Sequence, residues 1–315
     1  MQTLSADAAL AWSVRRHSLT TRATSVEQVA ADLVGLHNTT PFGPHLSLRA
    51  RVDGFSRADL DGLMWDTWRL VRFRAMRTTM FVMPHDLLEI AAAATRHLGA
   101  SLAARWLRDS GLSPAEFDQL AADVESALEG GPLTVRALRA ALQVPQSVPL
   151  SGVVSRMCDA GRLVGGAPPR SWRSSVRAYH RWQDVLAGVD VNRQEEPAAT
   201  RELVRRYVST YGPVTIDDIA WWTGITKGRC RTALENLSAD LEEISVADWP
   251  GPLLRWRTDA GAAELGDSVA VLPLLDPYVQ GYRDRRLFLD PARHGFVYDG
   301  GGNAAATVVH RGRII

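Results

Sequence analysis

The chain of 315 residues is 46% hydrophobic and 23% charged, the balance of an ordinary globular protein of two to four domains, which excludes a disordered tail, a collagen and a coiled-coil rod. Thirty-six basic residues against 35 acidic ones leave a net charge of +1, so no global field draws the chain onto nucleic acid and any basic surface must be local. Cys158 and Cys230 are its two cysteines, too few for a disulfide scaffold or a cysteine-based zinc site and suited to a reducing compartment.

In chain order, the segment Ser25–Leu36 reads as a helix, with Val26, Val29, Leu33 and Leu36 at helical spacing. A second helix is expected over Arg57–Leu70, with Leu60, Leu63, Met64 and Trp68 on one side. Val71–Met76 and Thr78–Val82 read as two strands around Arg77, the pattern of a wing. The apolar stretch around Leu87–Ala94 is broken by Glu89 and falls far short of a membrane span. With no apolar leader and cleavage site at the N-terminus, the expected location is the cytoplasm.

An internal repeat organises the middle of the chain. Gly131-Pro132-Leu133-Thr134-Val135 recurs as Gly212-Pro213-Val214-Thr215-Ile216. An amphipathic helix opened by proline precedes each copy, over Pro114–Leu128 and Pro197–Tyr211. Thr134 and Thr215 stand where N-caps belong, ahead of short helices Val135–Leu142 and Ile216–Trp222. Val144 and Ile225 occupy equivalent turn positions and are expected to be buried. Third helices follow over Leu150–Ala160 and Lys227–Ser238, then extended segments over Arg162–Tyr179 and Leu241–Arg257. This order of elements describes a winged helix-turn-helix, here in two copies.

Beyond residue 259 the texture changes. Ser268–Leu275 reads as an apolar strand that Pro273 confines to an edge or bulge, and Asp299–Asn303 as a glycine-rich turn. Thr307–Ile315 alternates apolar and basic residues and ends where a strand should continue, so a small, incomplete β domain is expected. The expected architecture is α+β, with three tandem winged modules at 1–110, 111–195 and 196–258, then a small β-barrel-like domain at 259–315.

Local basic clusters accompany the repeats. Arg162, Arg170, Arg173 and Arg177 fall in or beside the first wing, with Trp172 and Tyr179 among them. Such a wing can track phosphates, or it can be a solvated strand face. Lys227, Arg229 and Arg231 crowd the start of the last helix, where oriented N–H groups also favour phosphate. Thirty-five of the basic residues are arginine and Lys227 is the single lysine. Arginine is the better bidentate partner of phosphate and guanine, but a GC-rich genome produces the same bias. Trp65, Trp68, Trp221 and Trp222 sit at helical positions suited to a core. No His/Cys/Asp cluster has metal-ligand spacing, and neither a Walker A nor a G-x-G-x-x-G loop occurs. Neither a metal nor a nucleotide cofactor is indicated.

Three segments carry a family resemblance. They are Leu33-Val34-Gly35-Leu36-His37-Asn38-Thr39-Thr40-Pro41 leading to Leu46–Val52, then Arg74–Pro84, and last Leu275-Asp276-Pro277-Tyr278-Val279-Gln280-Gly281-Tyr282-Arg283-Asp284-Arg285. Together they resemble the winged-helix DNA-binding family that includes the AlkZ/YcaQ-type bacterial DNA glycosylases. That resemblance implies tandem winged helices followed by a β-barrel-like domain, double-stranded DNA as partner, and hydrolysis of the N-glycosidic bond of alkylated or bulky-adduct purines. The family carries Gln-x-Gln or Gln-x-Asp after Gly-Leu, or His-x-Thr-Asp in some members; this chain has His37, Asn38 and Thr39, with Thr40 at the aspartate position.

The residues themselves allow the following chemistry. An N7- or N3-alkylated purine is already cationic and leaves without a strong acid, so the task is to stabilise an oxocarbenium-like sugar and place one water. His37 can do so as a base near neutral pH. Asn38 or Thr39 would supply a second contact, Thr39 being favoured because it can converge with His37 in a non-helical turn. Alternatively His37 caps the helix ending at Leu36, or contacts DNA. His45 reads as structural. Asp284, between Arg283 and Arg285, reads as a salt-bridged carboxylate or an active-site base, and Asp276 as a turn residue. Tyr278, Gln280, Tyr282 and Arg283 belong to the signature without an assigned role. Three modules without a heptad segment favour a monomer that surrounds DNA, either as a glycosylase or as a non-catalytic regulator or lesion-shielding factor.

Overall fold

Hydroxyl side chains decide where the helices start. In the computed structural model, which describes residues 2–259 and 264–315, Ser5, Ser25, Ser113, Thr134, Thr215 and Thr226 each accept a backbone N–H three residues on. They open the helices Ala6–Arg16, Val26–Asp32, Pro114–Ala127, Val135–Ala141, Ile216–Thr223 and Lys227–Glu235, satisfying donors that would otherwise be orphaned in the first turn.

The two stretches of the repeat follow a similar order of elements, with different sheets. In its first copy the helix Pro114–Ala127 is followed by the strand Leu133–Thr134, helices Val135–Ala141 and Leu150–Asp159, and strands Leu163–Gly165 and Ala178–Arg181. Ala178–Arg181 lies between the other two strands, antiparallel to both. In the second copy the helix Glu196–Tyr211 leads to helices Ile216–Thr223 and Lys227–Glu235 and the hairpin Leu241–Val246 with Leu253–Trp256. A single bridge, Val214 to Leu254, stands in for the first strand. The N-terminal strand Gln2–Leu4 adds to this hairpin in parallel, along Leu241–Val246.

The two copies bury their turns differently. Ile225 is 2% exposed and joins a core shared by residues from Leu10 to Ile314. Val144 stays half-exposed, because the first copy closes a separate core of its own around Leu138, Val153 and Met157. A third core, from Val26 to Val82, fills the N-terminal region. The longest helix, His85–Ser110, was not expected from the sequence. Every residue from Leu87 to Thr95 is buried, Glu89 included, so this stretch shows no amphipathic stripe. It packs along Glu196–Tyr211 and ties the N-terminal region to the second copy.

Several expected boundaries move. The helix from Ser25 stops at Asp32, because Val34 (φ 57°) and Gly35 (φ 97°) reverse the chain. Leu33 and Leu36 are buried from that turn and from the strand that follows it. The second helix runs from Arg57 to Asp61, continues as a wider turn over Gly62–Asp66, and ends before Trp68 at φ 55°. Of the four tryptophans expected in the core, Trp222 is buried while Trp65, Trp68 and Trp221 are half-buried. The C-terminal region forms no closed barrel among the described residues. Its three antiparallel strands, Val269–Leu272, Thr307–His310 and Arg313–Ile314, leave both outer edges open, and three strands cannot close a barrel. No described helix is long and apolar enough to cross a membrane.

Candidate active-site cleft

The segment after Gly35 is a two-residue strand, Leu36–His37, paired antiparallel with Met80–Pro84. Gly35 is required twice: its φ is positive, and a Cβ there would sit 3.2 Å from the Phe81 ring. Strand alternation then sends neighbouring side chains to opposite faces. Leu36 enters the core, His37 turns out beside Phe81 with ring centroids 5.2 Å apart, and Asn38 turns back in.

His37 and Thr39 line one open cleft of about 270 Å³, together with Arg77, Thr79, Phe81, Trp222, Gln280 and Asp299. Asn38 is not part of it. It is 3% exposed, accepts a hydrogen bond from Arg72 Nε at 2.5 Å and donates to the Thr40 carbonyl at 3.3 Å. The helix-cap alternative for His37 also falls away, since the preceding helix ends five residues earlier.

Burial and the Arg77 guanidinium hold the His37 imidazole down to about 4, against a smaller opposing pull from Asp276. The ring is therefore neutral at pH 7. An imidazole held that low is a weaker base than one at the ordinary 6.5, suited to orienting a water and poorly suited to carrying off its proton early.

Arg77 was not singled out from the sequence as a site residue, and its backbone is the signal that could have found it. It sits at the tip of the turn between Leu70–Arg74 and Met80–Pro84 with φ 52°, followed by Thr78 at 57°. Non-glycine residues rarely adopt that region without tertiary support. Support comes from Arg74 Nη1 donating to the Thr78 carbonyl at 3.2 Å and Thr79 Oγ1 to the Met76 carbonyl at 3.0 Å. Gly224 lets the end of helix Ile216–Thr223 approach, since a Cβ there would come within 3.3 Å of the Arg77 backbone. The guanidinium stacks 3.9 Å from the Trp221 ring and has no carboxylate partner among the described residues. Its charge is available to an anion.

Asp299, in the glycine-rich turn, also lines the cleft. It accepts from the backbone N–H groups of Gly301 and Asn303 at 2.8 and 2.9 Å and from Asn303 Nδ2 at 3.0 Å. Those bonds hold its carboxyl below the usual range and keep it ionised. Gln280 braces the same turn, donating to the Gly302 carbonyl at 3.0 Å and accepting from Ala304 N–H at 2.9 Å.

The remaining signature residues are bonded within the protein. Asp276 and Arg51 form a fully buried bidentate pair, Nη1 to Oδ2 at 2.8 Å and Nη2 to Oδ1 at 2.6 Å. Ser47 Oγ adds a third bond to the carboxylate at 2.9 Å, and Tyr278 N–H a fourth at 3.0 Å. Tyr278 and Tyr282 donate to the Gly312 and Tyr211 carbonyls at 2.7 and 3.0 Å. Arg283 pairs with Asp217 at 2.6 Å. Asp284 pairs with Arg286, not with the flanking Arg283 or Arg285, and its backbone N–H reaches Asp218.

The expected phosphate contacts divide in the same way. Arg162 is held bidentately by Glu125, at 2.7 and 2.8 Å. Lys227 pairs with Asp217 at 2.5 Å and Arg229 with Glu196 at 2.8 Å. Arg177 is buried and donates to the Ser174 and Val176 carbonyls, so it does not present a charge on the outer surface of the wing. Exposed Arg170, Arg173 and Arg231 have no carboxylate partner among the described residues. No group of three or more His, Cys, Asp or Glu side chains among the described residues could hold a metal ion.

Known proteins share the fold and the sequence family of this chain. The fold superposes on that of a Streptomyces sahachiroi DNA glycosylase, AlkZ, with a TM-score of 0.81 at 21% identity, covering 100% of this chain and 87% of the other. A curated relative from Streptomyces sahachiroi, an interstrand DNA cross-link repair glycosylase, is 23% identical over 97% of this chain and 85% of its own length. The family model for AlkZ-like DNA glycosylases matches residues 30–315, and with that match over most of its length the chain belongs to this family.

Proposed function

We propose that this protein is a monofunctional DNA glycosylase that removes alkylated or bulky-adduct purines from duplex DNA, working as a cytoplasmic monomer without metal or nucleotide cofactor. Each copy of the repeat acts as a winged helix, the N-terminal region as a third such module, and residues 264–315 as a small β domain completing the cleft. The observation that carries the reading is the convergence of His37, Thr39, Arg77 and Asp299 on one open cleft. The name of the Streptomyces sahachiroi relative adds cross-linked DNA as a substrate to test.

The chemistry follows from these groups. In an N7-alkylated purine the C1′–N bond breaks as its electron pair neutralises the cationic base, so no strong acid is needed. The sugar becomes oxocarbenium-like, and the ionised Asp299 offsets that charge. Neutral His37 and the Thr39 hydroxyl hold the water that adds to C1′, and its proton passes to solvent once the C–O bond has formed. Arg77 holds a neighbouring phosphate. The test is abasic-site formation on duplexes carrying N7-methylguanine, a bulky N7 adduct or an N7 interstrand cross-link. Abasic sites from the wild type, lost in His37→Ala and reduced in Asp299→Asn, support the assignment.

The second reading is a non-catalytic lesion binder, favoured by His37-Asn38-Thr39 standing where the family has Gln-x-Gln. Tight binding to the same duplexes with no abasic sites on any of them establishes it.

A further inference from the structure

A second cavity, of about 340 Å³, lies between the N-terminal region and the loop that joins the two strands of the first repeat's hairpin. It shares no lining residue with the cleft, and Asn38, on the opposite face from His37, forms part of its wall. Its size is at the lower end for pockets that enclose a small organic ligand, roughly 300–1,000 Å³.

Its walls combine aromatic surface with an excess of positive charge. Trp65 contributes from the N-terminal side and Trp172 from the loop. Trp172 packs edge-on against His45, ring centroids 5.1 Å apart, and Arg173 lies 5.6 Å from its ring. The charged lining residues are Arg57, Arg170 and Arg177 against Asp61 alone. Asp61 is already engaged by His45 Nε2 at 2.9 Å and by Arg57 at 3.1 Å. Arg177 is 5% exposed with no carboxylate partner among the described residues, and its Nε is buried without an acceptor. His45 is 7% exposed, and its Nδ1 is likewise buried and unpartnered. A buried guanidinium facing no anion is costly, and an incoming anion relieves that cost.

We propose that this cavity binds a single nucleotide, its base against Trp65 and Trp172 and its phosphate at Arg170 and Arg177. Two sources share that chemistry: a free nucleoside monophosphate and an unpaired nucleotide of a DNA strand. Aromatic side chains stack on any base, so selectivity among bases is low. The proposal does not rest on hydrolysis, because its readout is binding alone.

The experiment is calorimetric titration of the whole protein with deoxyadenosine, deoxyadenosine 5′-monophosphate and the tetranucleotide of deoxyadenosine. One monophosphate per chain is expected, with deoxyadenosine at least tenfold weaker. Trp172→Ala and Arg170→Ala, both surface-loop substitutions, should each weaken binding about tenfold or more, while His37→Ala leaves it unchanged. A tetranucleotide at least tenfold tighter than the monophosphate assigns the site to a DNA strand, and equal affinities assign it to free nucleotide. No binding of either phosphate ligand at millimolar concentration overturns the proposal. So does binding that His37→Ala abolishes and Trp172→Ala leaves intact.

Discussion

Two of the three segments that carry the family resemblance, 33–41 and 275–285, use their polar groups in opposite ways. In the later segment Asp276, Tyr278, Gln280, Tyr282 and Asp284 are each engaged within the protein, and most of the segment is buried. In the earlier one His37 and Thr39 face an open cleft with no protein partner for their side chains among the described residues. The later motif is thus mostly internal, with Gln280 reaching the cleft wall, while the earlier one presents His37 and Thr39 to it. A residue whose bonds are all internal fixes geometry; chemistry needs groups left unsatisfied until a substrate arrives.

The largest test of that contrast is Asp276→Ala, which strands the Arg51 guanidinium in a dry interior. It should cost about 3–5 kcal/mol of stability, the usual penalty for breaking a buried pair from one side. Urea denaturation reads it; a loss below about 1 kcal/mol would show that the signature does not hold the fold. His37→Ala should leave stability and duplex affinity nearly unchanged while slowing abasic-site formation about a hundredfold or more. Thr39→Val should slow it less, by roughly tenfold, as one hydrogen bond is worth about 1 kcal/mol. The wild-type rate should rise as pH climbs through about 4, where His37 loses its proton, and stay flat through neutrality. A midpoint near 6.5 would mean that the ring is solvated when it works.

His17 sharpens the scaffold side of the comparison. It is fully buried against Tyr211 and Tyr278, and burial together with Arg51 pushes its imidazole down to about 3. Between that value and 6.5 the unfolded chain binds a proton that the native chain refuses. Stability from this group is therefore complete above pH 6.5 and falls as pH drops, by about 1.4 kcal/mol per unit. Denaturation of wild type and His17→Phe at pH 5 and 7 should show the slope flattened in the variant. The smallest effect separates the paired from the unpaired cations. Arg173→Ala or Arg231→Ala should lower the salt dependence of duplex binding by about one ion each. Arg162→Ala, whose charge already belongs to Glu125, should leave it unchanged.

The repeat, its caps at Thr134 and Thr215, and the helices they open were legible in the sequence, because capping and proline stops act over three or four residues. That His37 and Thr39 would face one site was expected from a non-helical turn, whereas His37 ends a short strand and Thr39 follows it, both lining the cleft. What distance along the chain conceals was decided only by packing. The helix His85–Ser110 has no amphipathic stripe over Leu87–Thr95, because other elements cover that stretch on every side. Arg77 and Asp299 reach His37 from turns some 40 and 260 residues away. Which arginines keep a free charge depends on where Glu125, Asp217 and Glu196 fold. The depressed His37 pKa depends on burial and on a guanidinium from another strand pair. Short-range sterics and hydrogen bonding write elements into a sequence, but charge pairing and desolvation belong to the assembled interior, where residues far apart in the chain share one dielectric.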